Sequence, residues 1–131
     1  RTLTDATRKP AEDEFRHITS TVAEAFGATA EIRWETGYPA THNHETPTRR
    51  FTAIARGALG EENVIERDHA TMGGEDFSFY ALHVPACFFF LGIRPDGYHT
   101  YPGLHTPRFD FPDGAMPVGI DIFRRLALEP V

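Results

Sequence analysis

The residues best placed to do chemistry are loop histidines near acidic side chains. His105 stands in the run Leu-His-Thr-Pro-Arg-Phe-Asp-Phe (104–111), in a loop that follows an apolar segment. Thr106 and Pro107 stiffen the backbone beside it, and Asp110 and Asp113 follow close enough to orient a ring N–H. A neutral imidazole oriented in this way is a common metal ligand. The alternative is a surface or packing histidine. With His99 and Asp110 or Asp113, His105 would form a small independent metal-binding domain. A second candidate is Met-Gly-Gly-Glu-Asp-Phe-Ser-Phe-Tyr (72–80). Gly73 and Gly74 permit a close backbone turn ahead of a helix, and Glu75 and Asp76 then sit at the helix N-terminus, where negative charge is favourable. Either these acids cap the helix, or the loop brings its backbone up to a substrate. The run is no P-loop, because the spacing is wrong and the lysine is absent. No Gly-x-Ser-x-Gly elbow occurs in the chain. His42, Asn43, His44 and Glu45 form a third polar cluster, and Cys87 reads as a buried, inert thiol.

The elements that must carry these residues are legible as periodicities. Phe15, Ile18, Val22, Ala25 and Phe26 recur at helical spacing, which predicts a helix over 10–26 with Pro10 in its first turn and Gly27 as its stop. Residues 28–35 alternate, with Ala28, Ala30, Ile32 and Trp34 on one side, and predict a half-buried strand with one wet face. Thr46 and Pro47 open a helix through Leu59 that Gly60 ends. Val64 and Ile65 predict a short strand, and 75–82 a short helix. Residues 86–93 are apolar throughout, as in a strand buried on both faces of a parallel sheet. A long loop rich in proline, glycine and aromatics spans 94–113, and a last helix runs to Leu128. The expected fold class is therefore α/β, an α+β part followed by an α/β part, with a boundary near 40–46. Its sheets are incomplete, since typical sheets have about four to six strands. That shortfall marks the chain as a fragment.

Composition narrows the function classes. The 131 residues include 13 basic and 19 acidic side chains, for a net charge of −6. An acidic chain with no basic cluster is a poor partner for nucleic acid or an anionic membrane. Its longest apolar run, 85–93, is far short of the ~20 residues that span a bilayer. One cysteine allows no internal disulfide and suits a reducing, cytoplasmic setting.

Three motifs occur in a fixed order before the terminal helix: Gly-Tyr-Pro-Ala-Thr-His-Asn (37–43), the 72–80 run and the 104–111 run. Together they resemble the C-terminal third of an M20-type metallo-amidohydrolase or peptidase. The closest branch comprises hippurate, N-acyl-amino-acid and auxin-conjugate hydrolases. The resemblance implies a fragment of a two-domain hydrolase. A catalytic domain would carry two divalent metal ions (zinc, manganese, cobalt or nickel), and a lid domain would mediate homodimerisation. Residues 1–43 resemble the second half of the lid, and 44–131 the closing part of the catalytic domain. His105 matches the family's last metal-ligand histidine. Asn43 matches a substrate-side lid asparagine, and Gly73, Gly74 and Glu75 match the loop bordering the substrate pocket. Arg1 matches an arginine of the lid strand before the helix. His42 and His44 depart from the expected pattern, and no role is transferred to them. The family's other ligands and its general-base glutamate have no match here, so the resemblance assigns the chain no catalytic residue. The implied substrate is an N-acyl amino acid or a small amide. The implied parent is an amidohydrolase, and the fragment alone is expected to be inactive. The alternative is a non-catalytic binding or dimerisation module.

Overall fold

Thr4 sets the start of the first helix. Its hydroxyl accepts from the Thr7 N–H at 3.2 Å, and α1 runs over Asp5–Ala25. The helix thus begins five residues before the position expected from Pro10, because a side-chain cap satisfies the orphan N–H groups of a first turn directly. Pro10 lies inside the helix. The C-terminus closes as expected at Gly27, whose φ is 68°. The Gly27 N–H donates to the Glu24 carbonyl and the Ala28 N–H to the Ala23 carbonyl, both at 2.9 Å. These are the two bonds of a Schellman motif. The other helices are α2 (Glu45–Leu59), α3 (Ser78–Ala81) and α4 (Met116–Leu128). Single 3-10 turns occupy Glu61–Asn63 and Asp113–Ala115. The computed structural model describes residues 2–67 and 69–129. Arg1, and with it the expected match to a lid arginine, lies outside the described residues.

The α/β expectation is overturned. Among the described residues there is no β-strand, neither at 28–35, nor at 64–65, nor at 86–93. Alternation supplies a face, but a strand exists only where its N–H and C=O groups pair with a neighbour. No described segment offers these runs a ladder. The 28–38 segment instead lies along α1. Arg8 Nη2 donates to the Tyr38 carbonyl at 3.1 Å, and Arg16 Nη1 donates to the Ile32 carbonyl at 3.5 Å. The Phe15 ring packs at 5.7 Å from Trp34, with the Arg16 guanidinium 5.9 Å from the same indole. The rest of the α1 stripe is left open, with Ile18 and Val22 about half exposed.

The chain divides into two units. The first comprises Arg1–His44 and Glu66–Ala86, the second Glu45–Ile65 and Cys87–Val131. In the first, Tyr38 meets Phe79 edge-on at 6.0 Å. In the second, α2 packs on α4. Ala55 of α2 and Ile122 of α4 are each 2 % exposed and form the core of this pair. Phe89 stacks on Phe51 at 4.3 Å and reaches Phe123 at 5.6 Å. Arg50 of α2 donates through Nη2 to the carbonyls of Leu126 and Glu129 at 2.6 and 2.8 Å. It thereby satisfies carbonyls at the end of α4 that the helix itself leaves unpaired.

Candidate functional site

The 94–112 loop of the second unit is built from tight turns. Tyr98 N–H donates to the Pro95 carbonyl at 3.4 Å, and Gly97, the third residue of that turn, has φ 82°. Glycine is the residue such a position asks for. The next turn is built differently. Thr106 Oγ1 donates to the Gly103 carbonyl at 2.8 Å, and the Phe109 N–H donates to the Thr106 carbonyl at 3.0 Å. Between these bonds sits His105, with φ 64°, the one non-glycine residue with positive φ among those described. An L-residue held there is strained by about 1–2 kcal/mol. Such strain gathers at functional positions. The His105 side chain belongs to an exposed residue.

The turn borders an open depression of about 550 Å³, lined by Thr100, Tyr101, Pro102, Thr106, Pro107 and Arg108. That volume suits a small molecule. One tyrosine, two prolines, two threonines and one arginine line the depression. Tyr101 meets Tyr98 edge-on at 6.1 Å. Burial pushes the Tyr101 hydroxyl above its ordinary value, and the charge of Asp110 and the nearby Tyr98 push the same way, so it stays a neutral donor. Sequence reading placed Tyr101 and Arg108 in the loop without giving them a role. The aromatic density of 98–111 was the available signal.

The other sequence-derived residues lie in the first unit. Asn43, Gly73 and Gly74 are exposed, and Glu75 is half-buried. Glu75 Oε1 accepts from the Phe77 N–H at 3.3 Å, and its carbonyl accepts from Ser78 Oγ at 2.6 Å. The Glu75 side chain thus holds the turn that leads into α3. His44 was given no role from sequence, yet it is bonded to Ala86 through both its backbone and its ring. Its N–H donates to the Ala86 carbonyl at 2.9 Å, and the Ala86 N–H donates to His44 Nδ1 at 3.0 Å. No local pattern could announce a pair 42 residues apart.

Among the described residues, no three of His, Cys, Asp and Glu come together as a group able to hold a metal ion. His99, His105, Asp110 and Asp113 therefore form no independent metal centre. These residues do not fit a complete metal cage, and His105 offers a single donor.

Comparison with known proteins places the chain in a peptidase family. Residues 4–129 match peptidase family M20/M25/M40, and the chain belongs to that family. Among its relatives is YhaA of Bacillus subtilis, 33 % identical over 116 residues, covering 88 % of this chain and 29 % of that protein. The N-acetyl-L-cysteine deacetylase of the same organism is 30 % identical over 117 residues, covering 88 % and 26 %. IAA-amino acid hydrolase ILR1-like 6 of Arabidopsis thaliana is 30 % identical over 90 residues, covering 69 % and 19 %. The chain spans less than a third of the length of each of these relatives. No solved structure gives a significant match.

Proposed function

We propose that the chain serves a metal-assisted amidohydrolase that cleaves the amide of N-acyl amino acids or small peptides. The reading rests on family membership and on relatives named for removing an acyl group from an amino acid or cleaving an amino acid conjugate. The observation that carries it is the strained backbone of His105, in a turn beside the depression lined by Tyr101 and Arg108. In this reading His105 is a donor to one of two divalent ions, and Asn43, Gly73, Gly74 and Glu75 lie on the substrate side. Residues 1–43 are part of a lid through which two copies associate. Divalent ions held in the intact protein would supply Lewis-acid polarisation of a carbonyl and an acidified water. The chain itself supplies no general base and no second or third ligand in this reading, so alone it is inactive.

The test is hydrolysis of N-acetyl amino acids by the intact protein, before and after chelation and metal return. Activity is expected to vanish on chelation, to return with a divalent ion, and to fall at least about 100-fold in His105→Ala. The scale is set by metal-site neighbours, whose loss alone costs 10–100-fold. Undiminished activity in His105→Ala, or activity indifferent to chelation, would overturn the reading.

A further inference from the structure

We propose that His44 is a pH-sensitive latch joining the two points where the chain leaves its first unit. That unit ends once at His44 and again at Ala86. These same two residues make the reciprocal pair of hydrogen bonds, backbone to backbone at 2.9 Å and amide to ring at 3.0 Å. The pair ties together residues 42 apart in the chain with two short bonds.

The ring bond has a chemical condition. Nδ1 can accept the Ala86 N–H only while it carries no proton, so the neutral ring holds its proton on Nε2. A proton on Nδ1 turns the acceptor into a donor facing another donor, and the ring half of the latch opens. Imidazoles as a class change charge between about pH 5 and 8, which sets the range over which the latch is tested. Among the titratable groups nearby, the His42 ring lies edge-on to His44 at 5.7 Å. Glu45, next in the chain, is held by Arg49 at 2.9 Å. His83 and Cys87 flank Ala86 in sequence.

The test is hydrogen exchange of the Ala86 amide in the full chain from about pH 5 to 8, each rate divided by its intrinsic chemical rate. Protection is expected to be roughly three- to tenfold greater at the upper end, the worth of one net hydrogen bond. His44→Asn offers an accepting oxygen that does not titrate, and its protection is expected to be flat with pH. Ring nitrogen chemical shifts of the unmodified chain are expected to show Nδ1 bare at the upper end, a reading that needs no variant to fold. Equal protection across the range, absent protection throughout, a protonated Nδ1 at the upper end, or wild-type pH dependence in His44→Asn would each overturn the proposal.

Discussion

His105 is held by its backbone in a conformation that glycine would adopt freely, at φ 64°. This separates two reasons for having a histidine there. If the ring were a packing group, its removal would cost stability. If it is a ligand, its removal should cost chemistry only. His105→Gly tests the difference. Relief of about 1–2 kcal/mol of left-handed strain is offset by the entropy that glycine adds to the unfolded chain, about 0.4–1 kcal/mol. Stability measured by denaturation is therefore expected to stay within about 1 kcal/mol of wild type while hydrolysis by the intact protein is lost. A clear loss of stability would return His105 to a structural role. The candidate position was legible from its loop and its Thr-Pro neighbours. Its positive φ was not, because nothing in Leu-His-Thr-Pro asks for it as a glycine would. The same holds for His44, whose partner is distant in sequence.

At the level of elements, helix ends were more legible than strands. Gly27 and Gly60 stop α1 and α2 as their sequence positions suggest, since positive φ is a local property. The start of α1 lies ahead of Pro10 because the Thr4 side chain caps the first turn. The runs 28–35 and 86–93 misled for another reason. Pairing depends on a neighbour, which periodicity cannot report. The helical pair α2 and α4 rests on Ile122, 2 % exposed. Ile122→Ala is expected to destabilise this unit by about 2–5 kcal/mol, read from denaturant unfolding. A cost under about 1 kcal/mol would argue against that core. Asp121 of α4 accepts from Arg125 Nε at 2.7 Å and Arg124 Nη2 at 2.8 Å. The hydrogen bond from Arg125, then that from Arg124, holds its carboxyl below the usual value of 3.8. A lowered folded value means stabilisation present above pH 3.8 and lost as pH falls below it. Helicity followed by circular dichroism is expected to decline there, with a smaller decline in Asp121→Asn. Identical acid profiles would show that the cluster contributes nothing.

On the scale of the whole molecule, each of the two units leaves large apolar groups exposed. Large apolar groups such as Phe26, Ile65 and Leu128 stand mostly in water, and burying side chains of this kind is worth about 1.5–3 kcal/mol each. Among the described residues no metal-holding group is complete. Because the chain spans less than a third of the relatives it matches, the decisive experiment uses the intact protein. That experiment is metal counting by elemental analysis after gel filtration, in wild type and in His105→Ala. The account predicts two divalent ions per chain in the wild type and a clear deficit in the variant. Full metal content in His105→Ala, or a metal-free wild type that still hydrolyses N-acyl amino acids, would contradict it.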